Sequence, residues 1–309
     1  MKLTMRPFRN EEDFWRVRNF LREIFLLHDR IERGWNVARL DYWRWHLMAN
    51  LQVYPSMESA LFIWETGDGK IAALLNGIVK GEARLHLHPE YRSLQLQDEM
   101  LAQAEADLFT MEDDTPFVYL PVDSDDSLLH ETLLSRGYEK NPGRSNKWRR
   151  DLDAPVPDVK IPAGYTIRSM GGEEEHPARG WASWRSFHSE EPDKNYDGDF
   201  SWVRNMQSAP LYRRDLDVVA VTLHGEIASF CTIYYDDYTR SAVCVLVGTA
   251  AEHWQRGLGK AVIFEGMKRL QRLGCTRVFA TAYDPPANAL YGAAMNEHQV
   301  AETWLKVLK

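Results

Sequence analysis

Residues able to do chemistry together cluster in the second half of the chain. An apolar run ends in Val247-Gly248-Thr249, and a short connection follows through Ala250 to Trp254. Gln255-Arg256-Gly257-Leu258-Gly259-Lys260 then leads into a helical pattern with Val262, Ile263, Met267 and Leu270 on one face. A strand that passes through a glycine-bearing turn into a helix is a ready anion site. Glycine lets the backbone approach a ligand closely, and the first N-H groups of a helix have no partner within it. A bound pyrophosphate would suit this turn; glycines that merely shape a tight connection would leave the same letters. A P-loop does not fit, because Lys260 is followed by Ala261 and no glycine stands at the required upstream position. A dinucleotide fingerprint fails at Val262, where its third glycine would stand.

The turn resembles the acetyl-CoA-binding motif of the GNAT N-acetyltransferases, R/Q-x-x-G-x-G/A. Asp284-Pro285-Pro286-Ala287-Asn288-Ala289-Leu290-Tyr291 resembles the family's second signature, N-x-x-A-x-x-L-Y, and the likeness runs from about Tyr165 to Leu308. Three positions depart from the pattern: Trp254 stands at the R/Q position, Asp284 replaces the usual Asn, and Met295-Asn296 replaces a common Gly-Phe. The resemblance implies acetyl-CoA as co-substrate. Its contacts would fall on Val247, Gly248 and Thr249, on Gln255, Arg256, Gly257, Leu258, Gly259 and Lys260, and on Asp284 and Asn288.

The resemblance also implies direct acetyl transfer to an amine, here the primary amine of a small molecule. A departing thiolate needs a proton, and the Tyr291 hydroxyl, of a type that ionises near pH 10, is the expected general acid; a tyrosine that only packs its helix on the sheet is the alternative. Backbone N-H groups at Val247 to Thr249 would face the thioester carbonyl as charge builds on it. Many relatives carry a glutamate base on the central strand, but Val243 and Val245 stand there. Asp236, Asp237, Glu190, Glu191 and His188 are the remaining candidates. The same sequence also admits an acyl-CoA-binding sensor without turnover, or a protein N-acetyltransferase.

The elements that must hold these residues read as a mixed α/β fold, a mostly antiparallel sheet flanked by helices. Val218 to Leu223, Ile227 to Tyr235 and Ala242 to Thr249 are expected strands. A helix from about Gly259 to Leu273 follows, then a strand Thr276 to Ala282, a helix from near Pro286 and a last strand Ala301 to Leu308. The first half repeats this order. Thr4-Met5-Arg6 matches Thr166-Ile167-Arg168, Gly69-Lys70-Ile71-Ala72 matches Gly225-Glu226-Ile227-Ala228, and Pro89-Glu90-Tyr91 matches Ala251-Glu252-His253. The spacing is equal at both ends and shorter between, as one longer hairpin around Tyr235 to Arg240 would produce. Two tandem copies are therefore expected: a degenerate domain 1–152, a proline-rich linker 153–163 and an acetyl-CoA-binding domain 164–309. In the first copy Gln95 and Gln97 replace Gly257 and Gly259, and Leu133 replaces Tyr291.

Composition limits the partners. A hydrophobic share of 44% with 27% charged residues suits globular cores rather than disorder, and 309 residues suit two domains. With a net charge of -8 and no Lys/Arg-rich run, no nucleic-acid partner is expected. Cys231, Cys244 and Cys275 have no metal-ligand spacing, so no metal site is expected and the thiols should be buried in a reducing compartment. No apolar run is long enough to span a membrane and no leader-like segment follows Lys2 and Arg6, so a cytoplasmic monomer or homodimer is expected. Trp35, Trp43 and Trp45 with Tyr42 are expected in a core or at a domain interface.

Overall fold

A computed structural model describes residues 2–309. In the first half the order is β1 (Thr4–Pro7), α1 (Glu11–Leu27), α2 (Val37–Tyr42), a π-helical stretch (Trp43–Met48) and α3 (Ala49–Leu51). β2 (Leu61–Glu65), β3 (Ile71–Gly77), β4 (Ala83–Leu87), α4 (Leu94–Asp107), β5 (Thr110–Glu112), β6 (Thr115–Asp123), α5 (Ser127–Ser135) and β7 (Glu139–Asp151) follow. The second half repeats the plan with β8 (Tyr165–Ser169), α6 (His176–Phe187), α7 (Ser201–Gln207), β9 (Tyr212–Thr222), β10 (Ile227–Asp236) and β11 (Ser241–Thr249). It ends with α8 (Leu258–Arg272), β12 (Arg277–Ala282), α9 (Pro285–Ala294) and β13 (Glu297–Val307). As expected, the β10–β11 hairpin is the longer one: its strands have 10 and 9 residues against 7 and 5 in β3 and β4.

The chain forms two compact units whose limits differ from a cut at the linker. One contains the residues up to Trp43, Leu51–Lys147 and Gln299–Lys309; the other contains Arg44–Asn50 and Trp148–His298. The last strand, expected in the second domain, thus belongs with the first half, where Ala301 to Val307 pair antiparallel with β6. The side chains explain the choice. β13 offers Ala301 and Trp304 for burial, whereas residues 139–144 of β7 are all exposed.

In the first unit β1 to β4 form an antiparallel sheet. Asn10 starts α1 by accepting a hydrogen bond from the Asp13 N-H at 3.1 Å, and Phe14, Val17, Leu21, Ile24 and Phe25 form its buried face. Trp35 and Trp43 are core residues with ring centroids 6.0 Å apart. In the second unit β8 to β11 run antiparallel in sequence order, and β12 joins β11 in parallel. The two faces of this sheet bury different helices. Val262, Ile263, Met267 and Leu270 of α8 pack with Cys231, Ile233 and Val278, while Ala182 and Val203 of α6 and α7 pack with Val219 and Phe230. The proline-rich segment has no regular structure, but it is anchored. Leu152 and Val156 enter the α8 core, and Gln271 donates hydrogen bonds to the carbonyls of Leu152 (3.0 Å) and Ala154 (2.8 Å). Among the described residues no helix is long and apolar enough to cross a membrane.

Candidate active site

The site begins where two parallel strands part. β11 and β12 pair only at Ser241, Ala242 and Val243, opposite Arg277, Val278 and Phe279. β11 then continues to Thr249 along β10 alone, with Val247, Gly248 and Thr249 opposite Cys231, Phe230 and Ser229. A bulge contributes to the divergence: Leu246 and Cys244 face the consecutive residues Thr232 and Ile233, leaving Val245 as the extra residue. The β12-side edge of residues 244–249 is therefore outside any ladder. Glycine is required at 248, because a Cβ there would overlap the Phe230 ring and lie 2.8 Å from Ser186 Oγ. Thr249 is fixed twice over. Its hydroxyl lies 2.8 Å from that of Ser229, and its carbonyl accepts a 2.7 Å bond from Trp254 Nε1. Trp254, which replaces the motif's polar residue, thus fastens the loop to the strand.

The loop ends in two residues of left-handed conformation, Gln255 (φ 57°) and Gly257 (φ 78°). Gly257 is the N-cap of α8 and supplies no side chain to its amides, whereas Asn10, Asn36, Ser93, Asp126 and Asp284 cap α1, α2, α4, α5 and α9 with their own oxygens; α6 and α7 also start without a side-chain cap, but at Glu175 and Phe200 rather than at a left-handed glycine. Space around Gly257 is open, with no atom within 4 Å of where a Cβ would stand. The first bond inside the helix runs from the Ala261 N-H to the Gly257 carbonyl (3.1 Å), which leaves the amides of Leu258, Gly259 and Lys260 directed out of the helix end. Gly259 fits closely: a Cβ there would stand 3.3 Å from Thr249 Oγ1 and 3.4 Å from Leu290. Arg256, exposed beside the Tyr165 ring, and Lys260, over the Phe264 ring, add positive charge at this end.

α9 packs at the same corner through Leu290. Asp284 Oδ1 accepts from the Ala287 N-H (2.7 Å); Asn288 Nδ2 donates to the Asp284 carbonyl (2.9 Å) and its Oδ1 accepts from Trp148 Nε1 (3.0 Å). Both side chains therefore have structural work within the helix and toward Trp148. Tyr291, one turn further on, is 7% exposed and lies in the same buried cluster as Leu258 and Val262.

The candidate bases separate by position. Asp236 is buried and accepts from the Thr239 N-H (3.2 Å) and hydroxyl (2.8 Å) in the β10–β11 turn. That turn adjoins Ser241, and at about 3.3 Å per residue it is roughly 23 Å along β11 from Gly248. Asp236 and Asp237 are thus at the wrong end of the strand, contrary to expectation. His188, Glu190 and Glu191 follow α6, whose Ser186 touches Gly248; His188 Nδ1 lies 2.9 Å from Glu191 Oε1. The three thiols are buried. Cys231 is pushed up by its neighbour Cys244 and by burial, and Cys275 is pushed up to about 12 by burial, so neither supplies a thiolate.

Two features escaped the sequence reading. Asp217 breaks the apolar run of β9; it is fully buried, accepts from Thr232 Oγ1 (2.8 Å) and Tyr212 OH (3.2 Å), and burial raises its pKa. Beside it the Arg179 guanidinium lies 3.4 Å from the centroid of the Phe230 ring. The acid at 217 in an apolar run was a visible signal. The other is Arg44–Asn50, whose His46 ring meets Trp202 at 5.7 Å and is held down to about 4 by burial and by Arg179. Nothing local marks those seven residues as part of the second unit. Among the described residues no group of three or more His, Cys, Asp or Glu is arranged to hold a metal ion.

The corresponding corner of the first unit is closed. Ser93 Oγ caps α4 by accepting from the Leu96 N-H (3.2 Å), and Gln97, in the place of Gly259, is buried with its amide 3.0 Å from the Thr132 hydroxyl. The Asp126 and Asp284 caps align α5 with α9 and put the buried Leu133 opposite Tyr291.

Residues 181–295 match the model of the acetyltransferase (GNAT) family. No curated protein matches the sequence. Among solved structures the chain is similar to a GCN5-related N-acetyltransferase from Sphaerobacter thermophilus, at 17% identity and a TM-score of 0.66 over 99% of this chain and 95% of that one. A tandem GNAT protein from the clavulanic acid biosynthesis pathway is similar at 16% identity and a TM-score of 0.63, over 99% and 98% of the two chains. A GNAT-family acetyltransferase from Colwellia psychrerythraea matches at 12% identity and a TM-score of 0.58 over the full length of both. At such identities the likeness concerns the fold, and it extends over both halves.

Proposed function

The chain carries a GNAT-family acetyltransferase domain, a fold that serves acyl transfer from acyl-CoA, and from that premise we propose that it is an acetyl-CoA-dependent N-acetyltransferase acting on the primary amine of a small molecule. The observation that carries this reading is the uncapped start of α8 at a left-handed glycine, set beside the parting of β11 and β12.

In this account the amides of Gly257, Leu258, Gly259 and Lys260 hold the pyrophosphate, aided by Gln255 and by the charges of Arg256 and Lys260. The pantetheine arm lies along the free edge of β11 at Val247, Gly248 and Thr249, where a backbone N-H polarises the thioester carbonyl. Asp284 and Asn288 support this pocket through α9. The amine nitrogen, freed of one proton, forms a bond to the acetyl carbon, the carbon–sulfur bond breaks, the departing thiolate takes the Tyr291 proton, and the second proton lost by the nitrogen restores the Tyr291 hydroxyl. The proton lost by the ammonium passes to His188, oriented by Glu191, and from there to solvent. With Val243 and Val245 in place of a strand carboxylate, this reading uses His188, two residues beyond the Ser186 that packs on Gly248, as the base. The site sits in one unit only, since Ser93 and Gln97 occupy its counterpart in the other.

Release of free CoA thiol from acetyl-CoA, followed across a panel of primary amines, tests the reading. Amine-dependent release is expected; tight acetyl-CoA binding with no release on any amine would instead identify an acyl-CoA sensor.

A further inference from the structure

One side chain joins the loop that leads to the anion turn with the loop that carries His188. Arg185, in the last turn of α6, has a side chain only 11% exposed, and its guanidinium lies 5.7 Å from the Trp184 ring centroid. Its Nε donates to Glu252 Oε1 at 2.5 Å. Its Nη1 donates to the Glu191 carbonyl at 3.4 Å and lies 3.6 Å from Asp193 Oδ1. One planar fork therefore engages two segments that are remote from each other in sequence. A lysine ammonium, a single point charge, could not span both.

The segment on one side is the approach to the cofactor turn. Glu252 stands in the short helical turn Ala251–His253, between Thr249 of β11 and the left-handed Gln255 and Gly257. Other anchors of this stretch run to the sheet: the Ala250 N-H bonds the Ala228 carbonyl (2.9 Å), His253 Nδ1 lies 2.9 Å from the Tyr165 hydroxyl, and Trp254 holds Thr249. Glu252 reaches across to α6 instead.

The segment on the other side orients the base. The Glu191 N-H bonds the His188 carbonyl (3.0 Å) and closes a turn directly after α6. Glu191 Oε1 lies 2.9 Å from His188 Nδ1, and Oε2 accepts from Asn195 Nδ2 (3.2 Å); Asn195 and His188 together hold the Glu191 carboxyl below its usual range. A carboxylate on Nδ1 keeps the ring proton there and leaves Nε2 as the acceptor.

We propose that Arg185 is a positioning residue for acetyl transfer: by gripping Glu252 and the Glu191 backbone at once, it sets His188 in register with the turn that holds acetyl-CoA. The inference rests on the acetyltransferase reading and deepens it. Glu252 and Asp193 are half-exposed or more, so these pairs contribute little to folding, and variants that break them should keep the native melting temperature.

The test uses Arg185→Met, which keeps the apolar stem on Trp184, and Glu252→Gln, which alters only the cofactor-side partner. Each should lower kcat about tenfold while KM for acetyl-CoA changes by less than about twofold. The double variant should be no worse than either single one, and Arg185→Lys should recover part of the loss. Unchanged kcat, additive losses, or an effect confined to KM for acetyl-CoA overturns the inference and leaves acetyl transfer intact. A second readout needs no turnover: proton–nitrogen correlation spectra of the His188 ring, assigned by their absence in His188→Gln. Saturating CoA should shift these signals in the native protein and leave them unmoved in Arg185→Met and Glu252→Gln. In a protein that binds CoA and acetylates no amine, that pattern upholds the link, and a shift that persists in both variants, or is missing from the native protein, sinks it. A native protein that binds no CoA contradicts the acetyltransferase reading and this inference with it.

Discussion

Gly257 combines a positive φ with open space, and the two properties have separate consequences. Gly257→Ala meets no atom, yet it holds an L-residue in the left-handed region at a cost of about 1 kcal/mol. It should therefore lower stability slightly and weaken acetyl-CoA binding only in part. Gly257→Glu places a carboxylate at the anion site and should abolish binding with a similar small loss of stability; thermal melts beside calorimetry separate the two effects. For Tyr291 the expectation concerns rate. Tyr291→Phe should lower kcat about a hundredfold with KM for acetyl-CoA nearly unchanged, and a variant with full kcat would leave Tyr291 as a core residue only.

His86 gives a residue-level prediction of a different kind. It is fully buried in the first unit, where Nδ1 accepts from the Trp35 N-H (3.0 Å) and Nε2 lies 2.8 Å from Asn76 Oδ1, and burial with the charge of Arg84 lowers its pKa to about 3. The unfolded chain, with an ordinary value near 6.5, binds the proton more readily than the native one. The neutral ring therefore contributes its full stability above about pH 6.5, and that contribution is lost as pH falls toward 3, by at most about 1.4 kcal/mol per pH unit. Denaturant melts between pH 7 and 4 should show that slope, and His86→Gln should flatten it. An unchanged slope in the variant would contradict the buried neutral ring.

Helix starts distinguish the two halves at the level of elements. α4 and α8 occupy the same place in the repeated order, but Ser93 caps the first and nothing from Gly257 caps the second. Ser93→Ala should cost about 1 kcal/mol of stability and leave acetyl-CoA binding untouched, which melts and titrations of the one variant would show. Much of this level was legible in the sequence. The lost glycines at 95 and 97 and the helical face after Gly259 are local patterns, and local patterns survive in a single sequence. The partners of Asp284 and Asn288 were not legible. Their types match the family signature, but whether a side chain serves a ligand or its own helix depends on Ala287 and Trp148, and Trp148 is remote in sequence. Asp236 is a different case: the sequence puts it in the hairpin of Tyr235 to Arg240, where the structure finds it, and its candidacy as a base overlooked that this turn lies at the far end of the strand from Gly248.

For the whole molecule, the duplication was legible and the route of the chain was not. Residues 299–309 and 44–50 each group with the half of the chain to which they do not belong in sequence. Strand choice reflects long-range pairing, here of Ala301 to Val307 with β6, and no local periodicity encodes it. A fragment of residues 153–309 lacks β6 as well as His46 and its neighbours, and should be poorly folded or much less stable than the full chain by circular dichroism and thermal melting. A fragment that folds and binds acetyl-CoA as the full chain does would show that those segments are dispensable. The central claim is that one helix start per chain, the left-handed and uncapped start of α8 at Gly257, takes acetyl-CoA. Its most direct test is a calorimetric titration of the full-length protein with acetyl-CoA, in parallel with Gly257→Glu and Gln95→Glu. The account predicts one site per chain, lost in the first variant and kept in the second; two sites, none, or a site indifferent to Gly257→Glu would contradict it.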